Sequence, residues 1–142
     1  MRESAEIAHI VATRIMLEKE PENLFFANFK LHLHVLEGGT PKDNSSAGCT
    51  MVTSLLSLAM KKPVRKDLAM TAVVTLTGRI LPVGGVMEKT MAAVRNKVKT
   101  VIFPKANRTD FDELTENVKK GLHVHFVDEY EQTFELAFNY DH

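Results

Sequence analysis

The stretch AMTAVVTLTGRILPVGGVMEKTMAAVRNKVKTVIF, residues 69–103, decides the fold. Ala69–Leu76 is rich in β-branched residues and predicts a strand. Thr77-Gly78 has the character of a turn, and Arg79–Val83 would pair back as the second arm of a hairpin. Gly84-Gly85 breaks that arm. Val86–Lys97 then spaces Val86, Met87, Met91 and Val94 as a helix, and Thr100–Phe103 is a short apolar strand ended by Pro104.

The same alternation extends in both directions. Glu3–Lys19 predicts a helix with an apolar stripe of Ile7, Ala8, Val11, Ala12 and Ile15, ended by Pro21 and Asn23. Phe29–Val35 alternates, with Phe29, Leu31, Leu33 and Val35 on one side and Lys30, His32 and His34 on the other, as in a half-buried strand. Leu36–Ser45 holds Gly38, Gly39, Pro41, Asp43 and Asn44 and reads as a loop. From Ser46 to Met60 the spacing of Met51, Leu55 and Leu58 is helical, and Lys61-Lys62-Pro63 closes the segment. Beyond residue 104 come a polar helical stretch over Thr109–Val118, a strand over His123–Val127 and a closing helix over Glu129–Phe138. Interleaved strands and helices make the class α/β or α+β.

With 142 residues the chain suits one domain, and its 44% hydrophobic and 25% charged residues are a globular mixture. Eighteen Lys plus Arg balance eighteen Asp plus Glu, which argues against binding nucleic acid or a membrane through net charge. No apolar run approaches a bilayer span, and Glu3 and Glu6 interrupt any secretory core near Met1. The single cysteine, Cys49, excludes an internal disulfide and suits a reducing compartment. In that setting the glycosylation sequons at Asn44-Ser45-Ser46 and Asn107-Arg108-Thr109 carry no weight.

Several chemistries are excluded by spacing. Gly84-Gly85 and Lys89-Thr90 are wrongly placed for a phosphate-binding P-loop, so this chain by itself is not expected to hydrolyse ATP. There is no Gly-x-Ser-x-Gly elbow and no His-Glu-x-x-His. There remains the run Thr40-Pro41-Lys42-Asp43-Asn44-Ser45-Ser46-Ala47-Gly48, a turn-rich loop that delivers Ser46 to the start of a helix. Free N–H groups and the positive end of the helix dipole there favour an oxyanion formed in acyl transfer. On local pattern alone Ser46 reads first as an N-cap, the commoner use of serine at that position. A nucleophilic serine needs a base. Lys89 is the candidate, because Gly84-Gly85 set it in the first turns of a helix, where the positive end works against an ammonium and favours the neutral amine. It is also readable as a solvated surface lysine.

The strings Pro41-Lys42-Asp43-x-x-Ser46-Ala47-Gly48 and Gly78-x-Ile80-Leu81-Pro82-Val83-Gly84-Gly85-x-x-Glu88-Lys89 resemble the two signature blocks of the Lon protease proteolytic domain. Leu68-Ala69-Met70-Thr71 and His123-Val124-His125-Phe126-Val127 are similar to the same family, and the ending Phe138-Asn139-Tyr140-Asp141-His142 resembles its plant organellar members. The resemblance implies a Lon-type α/β (α+β) fold, a mixed sheet with packed helices, over residues 1–142. It also implies that the initial strand-rich part, the ATPase module and the N-terminal domain lie outside the chain. It further implies a Ser–Lys dyad serine endopeptidase with Ser46 as nucleophile and Lys89 as general base and then acid. Thr71 would help hold the lysine amine, Asp43 would gate the active form and His32 would flank the cleft.

By the same resemblance the enzyme would be an ATP-dependent homohexamer that degrades unfolded or damaged polypeptides in the mitochondrial matrix or another organelle. ATP and Mg would belong to the ATPase module, with no cofactor or metal in this chain and no membrane or nucleic acid bound through this domain. The isolated chain would be weak or inactive. Five positions depart from the family pattern: Asn44-Ser45 stands for Gly-Pro, Ala72-Val73 for Gly-Glu, and Met87 for a lysine. They leave open an alternative, a catalytically silent domain that keeps the fold and the assembly surface. A third reading, a metal site built from His32-x-His34 and His123-x-His125, lacks a Cys or carboxylate at ligand spacing.

Overall fold

The computed structural model describes residues 2–28 and 47–140. The elements run α1 (Arg2–Lys19), α2 (Phe25–Asn28), α3 (Gly48–Met60), β1 (Leu68–Met70), β2 (Val73–Val74), β3 (Ile80–Leu81), α4 (Val86–Arg95), β4 (Thr100–Pro104), α5 (Arg108–Asp112), α6 (Glu116–Lys119), β5 (His123–Val127) and α7 (Tyr130–Phe138). A single 3-10 turn, Lys105–Asn107, joins β4 to α5. The strand predicted over Phe29–Val35 and the loop over Leu36–Ser45 lie outside the described residues.

Parallel and antiparallel pairing are both present, in two separate sheets. The larger has the order β1-β4-β5, all parallel, with Met70 opposite Ile102 and Val127 opposite Pro104. Its middle strand, Thr-Val-Ile-Phe-Pro, is buried from Val101 onward, as a parallel strand covered on both faces requires. Alternate residues serve opposite layers. Ile102 packs with Val11 and Ile15 of α1, Val52 and Leu56 of α3, and Phe138 of α7. Val101 and Phe103 pack with Val86 and Ala93 of α4 and Phe111 of α5. The fold is therefore a small parallel sheet between two helical layers, of the α/β class.

The stripe predicted on α1 is the buried one: Ala8, Val11, Ala12 and Ile15 are 5% exposed or less. Helix α3 stops where the chain turns left-handed at Lys61 (φ 53°), and Ser57 Oγ donates to the Lys62 carbonyl. Among the described residues no helix is long and apolar enough to cross a membrane.

Two segments differ from the sequence reading. Ala69–Leu76 is not one strand. β1 ends at Met70, Thr71 N–H still bonds the Ile102 carbonyl, and the chain then leaves the parallel sheet to pair as β2 with β3 (Val73 opposite Leu81). The cause is α3, whose Cys49 N–H takes the Ala72 carbonyl and withdraws it from any strand partner. Thr109–Val118 is likewise two short helices, because the chain is extended at Thr115 (ψ 155°), between Leu114 packed on the Phe111 cluster and the start of α6.

A polar string lies inside the α3–α7 contact. Thr53 Oγ1 is 2.7 Å from Tyr130 Oη, and Cys49 Sγ is 3.8 Å from Thr133 Oγ1. Burial pushes the Cys49 thiol up from 9.0 to about 12, and burial also raises the Tyr130 phenol.

Two outcomes are expected from this packing. Leu56→Ala, at a fully buried site, should lower unfolding free energy by about 2–5 kcal/mol in urea titrations. Above pH 9.0 the unfolded chain releases the Cys49 proton while the folded chain keeps it, so stability should fall as pH rises toward about 12. Urea midpoints measured on both sides of pH 9.0 should show the decline, and Cys49→Ala should make it shallower; an equally steep decline in the variant would contradict it.

Candidate active site

In a parallel sheet the strands all end on one edge, and the loops leaving that edge are where side chains from separate elements can meet. Here that edge is formed by Met70-Thr71, Phe103-Pro104 and Val127. Three local devices bring the flanking segments to it.

The first is the start of α3. Its N-cap, Ala47 (φ −84°, ψ −4°), makes no side-chain cap bond, and Cys49 N–H lies 3.3 Å from the Ala72 carbonyl. Gly48 fits close to the strand behind it: a Cβ there would lie 3.4 Å from Val74 N. Ser46 precedes this contact by two residues and lies outside the described residues, as do Asp43, His32 and His34.

The second device is Thr71 itself, one residue past β1. Its hydroxyl is buried and has no hydrogen-bond partner among the described residues. Such an orphan is uncommon, since a buried hydroxyl left unpaired costs about 1–3 kcal/mol.

The third is the start of α4. Gly85 holds the left-handed cap (φ 71°, ψ 34°), and its carbonyl accepts from Lys89 N–H at 3.0 Å. The preceding residue pair is anchored to the sheet edge through Val83, whose N–H and carbonyl both bond the amide of Asn107, just beyond β4. Lys89 therefore stands one turn into α4 at the same edge as Thr71 and the start of α3. It is half-buried, and among the described residues its ammonium has no ion pair or hydrogen-bond partner.

The departures described by the structure have physical homes. Ala72 is fully buried in the α1–α3–α7 layer, so its methyl fills core space. Val73 points away from that layer, half-buried, and Met87 is 48% exposed. On the far strand His123 and His125 share one exposed face of β5. Burial, then the nearby charges of Arg65 and His123, hold the His125 imidazole below its ordinary range. Among the described residues no three His, Cys, Asp or Glu groups cluster as metal ligands.

Sequence reading missed Asn107, seen there only as part of a sequon. Nothing in its spacing marks it; its role depends on Val83, 24 residues away.

Thr71→Val supplies a test of the orphan. Replacing an unpaired buried hydroxyl by a methyl of the same shape should leave stability within about 0.5 kcal/mol of the parent or raise it. A clear loss in a thermal or urea melt would mean the hydroxyl has a structural partner.

Residues 1–140 match the Lon protease (S16) C-terminal proteolytic domain. Lon protease homolog 3, mitochondrial, of Arabidopsis thaliana is 77% identical over 142 residues, all of this chain and 15% of the relative. Lon protease homolog 4, chloroplastic/mitochondrial, of the same plant is 78% identical over the same span, again 15% of its length. The mitochondrial Lon protease homolog of Rattus norvegicus is 53% identical over 138 residues, 97% of this chain and 14% of the relative. The chain thus spans about one seventh of the length of the curated relatives it matches.

Proposed function

Because the chain belongs to the Lon protease (S16) C-terminal proteolytic domain family, we propose that it is the peptidase part of an ATP-dependent serine endopeptidase acting through Ser46 and Lys89. The observation that carries this reading is the family match across residues 1–140, which includes both the Ser46 and the Lys89 blocks. The shared carboxyl edge of Thr71, α4 and the start of α3 supports it.

In this mechanism the Lys89 amine accepts the Ser46 hydroxyl proton as Oγ bonds to the scissile carbonyl carbon. Negative charge then develops on the carbonyl oxygen, and N–H groups at the start of α3 stabilise it. The intermediate collapses with breakage of the C–N bond, and the protonated Lys89 delivers its proton to the leaving amine. Water, deprotonated by the same amine, releases the acyl group and restores Ser46. Thr71 Oγ1, which bonds no described residue, is free to accept a hydrogen bond from the Lys89 amine and orient it during the reaction; Asp43 gates the loop before Ser46, and His32 flanks the cleft. The Thr71 hydroxyl is buried and unpartnered among the described residues, which supports the role given to Thr71.

ATP and Mg act in an ATPase module outside these residues. Gly84-Gly85 and Lys89-Thr90 do not fit a nucleotide phosphate, and no step here runs through one. The substrates are unfolded polypeptides, the working assembly is a homohexamer, and the location is the mitochondrial matrix or a related organelle; relatives named mitochondrial and chloroplastic support the last point.

In the ATPase-linked enzyme, Ser46→Ala and Lys89→Ala should each abolish cleavage of an unfolded protein and labelling by a peptide boronate or fluorophosphonate. Thr71→Val should slow cleavage about 10- to 100-fold through a misplaced amine. Unchanged cleavage by Ser46→Ala refutes the dyad, and a folded hexamer that the probes never label supports a silent domain instead.

A further inference from the structure

We infer that Asn107 is a positioning residue for Lys89, acting through the backbone of Val83. This rests on the Ser46–Lys89 reading above and adds a residue to it. Asn107 is 3% exposed, and both its amide nitrogen and its amide oxygen are bonded. Oδ1 accepts from Val83 N–H at 2.9 Å, while Nδ2 donates to the Val83 carbonyl at 2.8 Å and to Asp110 Oδ2 at 2.9 Å. The side chain thereby imitates one residue of an antiparallel strand, exchanging both bonds with a single backbone unit. An aspartate could keep only the bond from Val83 N–H, and it would face both the Val83 carbonyl and Asp110 with a negative charge.

The clasp matters because of the segment it precedes. Gly84 and Gly85 link Val83 to α4, and the backbone of a glycine pair is the least restrained in the chain. Packing does not restrain Gly84 either: a Cβ there would meet nothing within 4 Å. Helix α4 is held on the sheet by Val86, its first residue, and by Ala93, against Val101 and Phe103. Its first turn, which carries Lys89, is fixed on the incoming side by the Asn107–Val83 exchange. Releasing that exchange lets the glycine pair move and leaves Val86 as the remaining hold on the first turn, so the Lys89 amine shifts while the core that holds the helix body survives. Displacements near 1 Å at reacting groups cost about 100-fold in rate.

The test is steady-state hydrolysis of a fluorogenic peptide by the ATPase-linked enzyme. Asn107→Ala should lower kcat about 10- to 100-fold with KM within about twofold of the parent, the signature of an interaction needed in the chemical step. Amide exchange should become faster at Val83–Gly85 and stay unchanged in β4. Phe138→Leu serves as the control for destabilisation alone, since it is buried at the opposite edge of the sheet, near the Arg65 N–H to Ala137 carbonyl bond. It should lower the melting temperature without changing kcat or Val83 exchange. Asn107→Asp is the second variant, and it should also lose kcat while it remains folded.

An unchanged kcat in folded Asn107→Ala, or a loss matched by Phe138→Leu at equal destabilisation, overturns the assignment. Failure of both Asn107 variants to fold does so too, by making the residue a requirement of the fold. An inactive parent enzyme is a different result: it removes the peptidase reading, and this inference with it.

Discussion

The buried ladder on both sides of β4 is the constraint on which the remaining geometry depends. Parallel strands all finish on the same edge, and a central strand covered on both faces leaves that edge as the place where loops can open. The register puts the end of β5 opposite Pro104 and the end of β1 opposite Ile102, so the three carboxyl ends lie close together. The starts of α3 and α4 are drawn to the same rim by different means. One docks through Cys49 N–H on the Ala72 carbonyl, the other through Val83 on the Asn107 amide.

Polar bonds of this kind contribute modestly to stability, about 1 kcal/mol each, and much more to position. The two helical layers supply the stability through Val11, Leu56, Phe103 and their neighbours. The rim can then hold features such as the Thr71 hydroxyl, unpaired among the described residues, and the left-handed Gly85. A site assembled this way separates fold from chemistry: the sheet and its layers hold their shape while the rim is shaped by a few specific bonds. The methyl of Ala72 belongs to the first category and the carbonyl of the same residue to the second.

Much of this was legible from residue order. The stripe on α1, the hairpin turn at Thr77-Gly78, the break at Gly84-Gly85 and the strand over His123–Val127 each arise from local periodicity, local backbone freedom or β-forming composition, so they could be read directly. The predicted strand over Ala69–Leu76 was legible only as β-forming composition. Its division between two sheets is imposed by α3, an element that no window around Ala72 contains. The Ser46 and Lys89 blocks were legible as a family pattern, whereas Asn107 was not, since a lone buried asparagine has no period.

By itself, the order of residues determined the alternation of strands and helices, the apolar faces, the α/β class and the pair of blocks that carry the proposed chemistry. These depend on interactions among near neighbours and on glycine, proline and β-branched side chains, whose preferences travel with them. The tertiary structure alone decided which strands are partners, that Thr71 ends on the rim with its hydroxyl unpaired among the described residues, and that Asn107 clasps Val83. Those outcomes depend on groups far apart along the chain, and they exist only once the two layers have closed on β4.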